Sequence, residues 1–136
     1  MNKMKLEKNI LIGEDHLDSL NILKVIFEAE GYRVDTARDS ETVLEKAFRN
    51  KPTLILLDMM LPKIGGVEVC RKLKQDLSTS HIPIIIVTAK SDQEARAAAI
   101  SAGSDAYVLK PFDPTGLVEK VGQLLPRIPF VPLAQN

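Results

Sequence analysis

The fold is decided by the segment Leu54-Ile55-Leu56-Leu57-Asp58-Met59-Met60-Leu61-Pro62. Four consecutive aliphatic residues end on a carboxylate, and a proline follows four positions later. An unbroken aliphatic run of this length predicts a strand that is buried on both faces, as in a parallel sheet. Asp58 then lies where the strand leaves the sheet, at the edge where open parallel sheets bind ligands. The segment alone leaves two roles open for Asp58: an N-cap for the next turn, or a reactive group.

The composition indicates a single soluble globular domain. The chain has 136 residues, of which 45% are hydrophobic and 26% are charged. Eighteen basic residues match eighteen acidic ones, so the charge gives no indication of nucleic-acid binding. No apolar run is long enough to span a membrane, and the N-terminus lacks the apolar core of a signal peptide. The single cysteine, Cys70, excludes an internal disulfide and lies on a predicted apolar helix face, so we expect a cytoplasmic protein.

The rest of the chain alternates strand and helix signals. Glycines or prolines follow the predicted helices, at Gly31, Pro52, Gly103 and Pro126. Three helix starts carry capping signals: Asp39 or Ser40, a capping box over residues 91–94, and Asp113 before Pro114. The five predicted strands cover residues 9–13, 33–37, 53–57, 82–88 and 105–109, and a helix follows each of them.

Five strand–helix units with short connections predict an open α/β sheet. Right-handed crossovers make the strands parallel and put helices on both faces of the sheet. A closed barrel of eight such units needs about 250 residues, more than this chain has. We therefore expect one doubly wound domain over residues 1–125. Residues 126–136 are proline-spaced and apolar, and two interpretations stay open for them: a linker stub or a tail that docks on the domain.

Polar residues follow four of the predicted strands. Glu14 and Asp15 follow the first strand, Asp58 the third, Thr88 ends the fourth and Lys110 follows the fifth. Because parallel strands bring these ends to one edge of the sheet, we expect the side chains to converge. Each close pair of carboxylates costs roughly 4 kcal/mol at about 4 Å and an effective dielectric constant near 20. One lysine cannot balance three carboxylates, and an all-oxygen site of this kind suits Mg²⁺.

Such a site suits the transfer of a phosphoryl group. Phosphoryl transfer depends mainly on positioning and on neutralising the phosphoryl oxygens. An aspartate can act as the nucleophile and form an acyl phosphate. In this arrangement Asp58 would accept the group, while Mg²⁺, Lys110 and Thr88 would each hold one of its oxygens.

The pattern as a whole resembles the receiver domain of two-component response regulators. The resemblance covers residues 10–125 and is carried, in order, by Glu14-Asp15, Asp58, Leu61-Pro62-x-x-x-Gly66, Thr88-Ala89 and Lys110-Pro111-Phe112. It implies a flavodoxin-like doubly wound parallel sheet with strand order 2-1-3-4-5. It also implies a phosphorylation-dependent signalling switch rather than an enzyme. Asp58 would accept phosphate from the phosphohistidine of a sensor histidine kinase or a phosphotransfer protein.

The resemblance also implies roles for individual residues. Glu14, Asp15, Asp58 and the backbone carbonyl of Met60 would hold Mg²⁺. The Lys110–Pro111 peptide bond would be cis, which orients the lysine. Phosphorylation would draw Thr88 toward the phosphoryl group and turn Tyr107 inward. The surface formed by the fourth helix, the fifth strand and the fifth helix would then contact a downstream protein partner or effector domain.

Met60 and Lys90 occupy the two positions beside the phosphoryl pocket that tune hydrolysis in this family. Our hypothesis is that the Met60 side chain limits the approach of water and prolongs the life of the phosphoryl group. Three positions depart from the commonest family pattern: Glu14 stands where many members have Asp, Gly13 replaces an aliphatic residue, and Ala106 stands where a dimerising branch of the family often has an acidic residue. We expect Gly13 to loosen the end of the first strand.

Three other functions compete with the phosphorylated switch. A receiver-like binding module would act through partner contact without phosphorylation, but such modules tend to lose one of the residues that are present here. An aspartate-dependent phosphatase needs a second acid two residues after its nucleophile, where this chain has Met60. A flavin carrier needs a phosphate-binding loop after the first strand, where Glu14 and Asp15 would repel a phosphate.

Overall fold

The computed structural model describes residues 8–125, in which five strands and five helices alternate. The predicted tail, residues 126–136, lies outside the described residues. The strands are β1 (Asn9–Gly13), β2 (Arg33–Ala37), β3 (Leu54–Leu57), β4 (Ile84–Thr88) and β5 (Ala106–Leu109). The helices are α1 (Leu17–Ala29), α2 (Ser40–Asn50), α3 (Gly65–Gln75), α4 (Gln93–Ser101) and α5 (Pro114–Leu124).

The strands form one parallel sheet in the order β2-β1-β3-β4-β5. This is the flavodoxin-like doubly wound topology, so the predicted fold is confirmed. β3 occupies the centre, and its four side chains are fully buried. The unbroken aliphatic run follows from this position, because a central strand with helices on both faces has no solvent side.

Two apolar layers cover the sheet, one on each face. Leu54 and Leu56 of β3 point to the layer that contains α1 and α5. Ile55 and Leu57 point to the opposite layer, which contains α2, α3 and α4. Cys70 is fully buried in this second layer, where burial raises the pKa of its thiol to about 11. It is a core residue, as its place on the apolar face of α3 indicated.

The helix ends agree with the sequence signals at most positions. Asp39 and Asp113 cap α2 and α5 by accepting hydrogen bonds from backbone N–H groups of the first turn. Gly31 and Gly103 follow the C-caps of α1 and α4 with φ of +94° and +101°, a conformation that favours glycine. The predicted capping box over residues 91–94 is wrong. The N-cap of α4 is Asp92, whose side chain accepts a hydrogen bond from the backbone N–H of Ala95.

Three strands begin later than predicted, each by one or two residues. β3 begins at Leu54 and β4 at Ile84. Pro83 has no N–H to donate and stands before β4 rather than in it. Asp105 precedes β5 and uses its side chain to accept the N–H of Ile84.

Gly13 does not loosen the end of β1, so that prediction is wrong. The residue is buried and pairs with Ala37 on one side and Leu57 on the other. Its carbonyl accepts the N–H of Asp58 at 2.9 Å. A Cβ atom at Gly13 would lie 2.8 Å from Val43 Cγ2 and 2.9 Å from Leu57 Cδ1. The larger neighbours have taken the space of the missing side chain, and glycine here is a packing requirement.

Substitution of Gly13 by alanine tests this packing. We expect Gly13→Ala to lower the free energy of unfolding by about 1–3 kcal/mol, the usual cost of overfilling a packed core. The matched control is Gly122→Ala in α5, where no heavy atom lies within 4 Å of the added Cβ. That substitution should raise stability by up to about 1 kcal/mol, because alanine favours helix more than glycine does. Urea denaturation measures both, and a Gly13→Ala protein as stable as the original would contradict the account.

Candidate functional site

The C-terminal edge of the sheet gathers the polar residues that follow the strands. Lys110, which follows β5, lies between Glu14 after β1 and Asp58 after β3. Its Nζ atom is 2.8 Å from Asp58 Oδ2 and 2.5 Å from Glu14 Oε1. Residues separated by up to 96 positions in the sequence therefore form one contact. The parallel topology alone brings them together.

The two carboxylates beside Lys110 are buried. Glu14 is 1% exposed and Asp58 is 8% exposed, and the Lys110 side chain is 18% exposed. A buried carboxylate is costly unless a cation and hydrogen bonds compensate for the lost water. Burial alone would lower the pKa of Lys110, but its hydrogen bonds to Asp58 and Glu14 outweigh that effect and raise the pKa above its ordinary value. Lys110 is therefore a firmly protonated cation at neutral pH.

The carboxylate of Asp58 caps a turn with one oxygen and pairs with a cation through the other. Its Oδ1 atom accepts the N–H of Met60 at 2.8 Å and caps the turn after β3. Its Oδ2 atom faces Lys110. The backbone N–H of Asp58 donates to the Gly13 carbonyl, so the residue is fixed to β1 as well. Two contacts hold the side chain and one holds the backbone, and one carboxylate oxygen lies beside a cation.

The second carboxylate oxygen of Glu14 contacts His16 rather than Lys110. Glu14 Oε2 accepts the backbone N–H of His16 at 3.1 Å and lies 3.3 Å from His16 Nδ1. The imidazole itself is a surface group, with 77% of its side chain exposed. Asp15 is half-buried beside them, and its backbone carbonyl accepts two hydrogen bonds from Arg38. Of the acidic pair, Glu14 is therefore bound to Lys110, whereas Asp15 is half-buried and follows it in the chain.

Thr88 and Tyr107 lie at the same edge of the sheet. The Thr88 carbonyl accepts the backbone N–H of Lys110 at 2.9 Å, but neither hydroxyl group bonds to the side chains of Lys110, Glu14 or Asp58. Thr88 is fully buried, and its hydroxyl accepts the N–H of Lys90 at 3.4 Å. The Tyr107 hydroxyl donates to the Lys90 carbonyl at 2.7 Å. The guanidinium of Arg96 lies over the Tyr107 ring, 5.3 Å from its centroid. Both residues therefore contact Lys90, one at its N–H and the other at its C=O.

Met60 and Lys90 lie exposed at the rim of the site, and the Met60 side chain is 61% exposed. The carbonyl of Met60 accepts no hydrogen bond from any residue in the range 8–125. The Lys110–Pro111 peptide bond is cis.

The carboxylate and carbonyl oxygens at this edge suit a hard divalent cation. In the present structure, two of the carboxylates are paired with Lys110. Across residues 8–125, no group of three or more acidic, histidine or cysteine side chains could hold a metal ion as it stands. In this arrangement the ammonium of Lys110 pairs with both Glu14 and Asp58. By chemistry, two buried carboxylates, the Asp15 carboxylate and a carbonyl without a protein partner form the oxygen set that Mg²⁺ prefers. One lysine leaves that set with excess negative charge, so the residues fit Mg²⁺ once Lys110 yields a carboxylate.

Two contacts near the site gave no signal in the sequence. Ser40 is fully buried and hydrogen-bonds the loop after β3, whereas the sequence offered it only as an alternative helix cap. Arg96 covers Tyr107, although nothing in the alanine-rich stretch distinguished it. Both contacts depend on how loops and helices pack at the edge of the sheet, which the spacing of residues does not encode.

Comparison with known proteins identifies the family. The family model described as the response regulator receiver domain matches residues 10–122. The chain belongs to the response regulator receiver domain family. The flavodoxin-like sheet and the residues that carried the resemblance agree with this membership, so the predicted family is confirmed.

Individual relatives give the same result. The response regulator ArlR of Staphylococcus aureus is 43% identical over 120 residues, which are 88% of this chain and 53% of the relative. This receiver chain thus spans about half the length of the curated relatives it matches. A putative response regulator from Chloroflexus aurantiacus has a TM-score of 0.85 at 32% identity, covering 90% of this chain and all of that one.

A third relative is a receiver domain that contains a metal. The receiver domain of the sensor histidine kinase PA1611 from Pseudomonas aeruginosa has a magnesium ion coordinated in its active site cleft. It has a TM-score of 0.82 at 27% identity, over 88% of this chain and 98% of that one.

The helices were also compared with the length and hydropathy that a membrane span requires. None of the helices within residues 8–125 is long and apolar enough to cross a membrane.

Proposed function

We propose that this receiver domain is a phosphorylation-activated switch of a two-component or phosphorelay system. Asp58 accepts the phosphoryl group from the phosphohistidine of a sensor histidine kinase or a phosphotransfer protein. The observation that carries the proposal is the contact of Asp58 Oδ2 with the Lys110 ammonium at the edge of the sheet. That oxygen is held beside a cation while the other is engaged by the Met60 N–H.

The residues divide the chemistry among them. Asp58 Oδ2 attacks the phosphorus atom, the P–N bond of the phosphohistidine breaks, and its electron pair stays on the imidazole nitrogen. Lys110, protonated throughout because of its raised pKa, stabilises one phosphoryl oxygen. The buried hydroxyl of Thr88 donates to another. Such placement of donors around a transferring phosphoryl group supplies most of the catalysis in reactions of this class.

Glu14, Asp15, Asp58 and the Met60 carbonyl are the groups that hold Mg²⁺. When bound, the ion neutralises the carboxylates and the phosphoryl oxygens, which would otherwise repel one another. With Mg²⁺ bound, Lys110 would no longer be needed at both carboxylates, and its ammonium would be available to the phosphoryl group. The PA1611 receiver, with its magnesium ion in the active site cleft, supports this assignment.

The switch connects Thr88 to Tyr107 through Lys90. A hydroxyl drawn toward the phosphoryl group gives up its hydrogen bond from the Lys90 N–H. Lys90 then shifts, and the Tyr107 hydroxyl loses the carbonyl that holds it near α4. The inward rotation of the ring alters the surface of α4, β5 and α5, where a downstream protein partner or effector domain binds. The phosphoryl group acts by favouring one of two pre-existing packings.

A second candidate is a receiver-like binding module that acts without phosphorylation. Two observations favour it. Lys110 already pairs with Glu14 and Asp58, and residues 8–125 contain no group of three or more acidic, histidine or cysteine side chains placed to bind a metal ion. We prefer the phosphorylated switch because a purely structural cluster would not need Thr88, Lys110 and both acidic positions together.

Phosphorylation by a small donor separates the two candidates. We expect the protein incubated with Mg²⁺ and acetyl phosphate to gain the mass of one phosphoryl group. Asp58→Asn should abolish the gain, since an amide cannot form the acyl phosphate. The control is Asp76→Asn, an exposed aspartate in the loop at the opposite edge of the sheet, which should be phosphorylated like the original protein. No mass gain, or a gain that persists in Asp58→Asn, would contradict the proposal.

Met60 sets the lifetime of the phosphoryl group in our account. Replacing it with asparagine puts a polar side chain that can orient water at the rim, so Met60→Asn should lose phosphate several-fold faster. The control is Ile64→Asn in the same loop, where the side chain is 46% exposed and the lifetime should not change. Decay of the phosphorylated mass after removal of the donor gives the rates. An equal or slower rate for Met60→Asn would count against a shielding role.

A further inference from the structure

Ser40 joins α2 to the loop that follows β3. It is the first residue of α2 and is 0% exposed. Its hydroxyl donates to the Pro62 carbonyl at 3.0 Å and accepts the Ile64 N–H at 2.9 Å. Its backbone N–H donates to the same Pro62 carbonyl at 3.2 Å. Three hydrogen bonds from one residue therefore hold the stretch that we call the β3–α3 loop, residues 58–64.

Met60 lies in this loop between two anchored points. On one side, the Met59 carbonyl accepts the N–H of Gly66 at 2.9 Å. On the other side, Pro62 is bound by Ser40. The Met60 carbonyl has no protein partner of its own among residues 8–125, so its position depends on these anchors and on the bond from the Met60 N–H to Asp58 Oδ1.

The chain between Pro62 and Ile64 needs this support. Lys63 has φ of +82°, a left-handed conformation that a residue with a side chain rarely adopts. Its ammonium pairs with Glu41 at 2.7 Å, but both side chains are substantially exposed, and exposed pairs contribute little. The two hydroxyl bonds of Ser40, made to the residues on either side of Lys63, are the buried support.

We propose that Ser40 is a positioning residue for the metal site, and this rests on the Mg²⁺-dependent function proposed above. By fixing the course of the β3–α3 loop, its hydroxyl keeps the Met60 carbonyl at the edge where Glu14 and Asp58 lie. Ser40 contacts neither the metal nor the phosphoryl group. Its effect passes through the backbone from Pro62 to Met60.

Loss of the hydroxyl should weaken Mg²⁺ binding. In Ser40→Ala the Ile64 N–H loses its acceptor, and Pro62 keeps only the backbone bond. The loop gains conformations in which the Met60 carbonyl is displaced, and metal binding must then select against them. Partners that orient metal ligands from outside the first shell typically contribute 10- to 100-fold in affinity, and we expect about a tenfold loss here.

The matched control is Thr79, the other fully buried hydroxyl residue outside the candidate site within residues 8–125. Its hydroxyl donates to the Leu73 carbonyl at 2.7 Å, in the loop before β4 at the opposite edge of the sheet. Thr79→Val removes a buried hydrogen bond far from the metal ligands. Isothermal titration with MgCl₂ should give a dissociation constant that is about tenfold larger for Ser40→Ala and unchanged for Thr79→Val. Urea denaturation of both variants separates the loss of stability from the loss of affinity.

A measurement on the unaltered protein tests the same coupling. If the Ser40 bonds favour metal binding, linkage requires that Mg²⁺ favour those bonds by the same factor. Hydrogen exchange of the Ile64 amide should therefore slow when Mg²⁺ is added, whereas exchange of the Thr79 amide should not. This result remains available even if Ser40→Ala does not fold.

The outcomes are distinct. Unchanged Mg²⁺ affinity in Ser40→Ala, equal weakening in Thr79→Val, or an Ile64 amide that is indifferent to Mg²⁺ would each overturn the role of Ser40. The absence of Mg²⁺ binding by the unaltered protein would instead overturn the proposed function, and with it the metal site that Ser40 is inferred to support.

Discussion

The site depends on one interaction: the ammonium of Lys110 lies between the buried carboxylates of Glu14 and Asp58. Without a cation there, two negative charges at the edge of an apolar sheet would repel each other and lack water. The same lysine satisfies both carboxylates in the present arrangement. The two carboxylates are therefore neutralised by an ion pair, and a divalent ion binding there, as in the proposed function, would replace one positive contact with another.

The rest of the fold serves to hold this edge. β3 is aliphatic on both faces and fully buried, so Asp58 follows the central, buried strand of the sheet. The carbonyl of Gly13 binds the Asp58 N–H, and the missing side chain of Gly13 leaves the space that Val43 and Leu57 fill. Ser40 ties the loop after Asp58 to α2. Core packing, a missing side chain and a buried hydroxyl together fix the position of one carboxylate.

The sequence was sufficient for the topology and for the residues that meet at the edge. Strand order followed from the family resemblance, and convergence followed from the parallel arrangement that the strand–helix alternation predicts. It was insufficient where local rules compete: Asp92 rather than Ser91 caps α4, and Gly13 tightens β1 instead of loosening it. The pairing of Lys110 with two carboxylates, the Ser40 bonds and the Arg96–Tyr107 contact depend on three-dimensional packing. None of them leaves a periodic pattern in the chain.

In the proposed function, Lys110 and Mg²⁺ compete for the same carboxylates. Isothermal titration of Lys110→Met with MgCl₂ tests it directly. Removing the ammonium should tighten Mg²⁺ binding by roughly tenfold or more, because a charge a few ångströms from the ion no longer repels it. Lys24→Met, which removes a lysine that is 45% exposed in α1, should bind Mg²⁺ as the original protein does. If Lys110→Met binds Mg²⁺ no more tightly than the original protein, the account is contradicted.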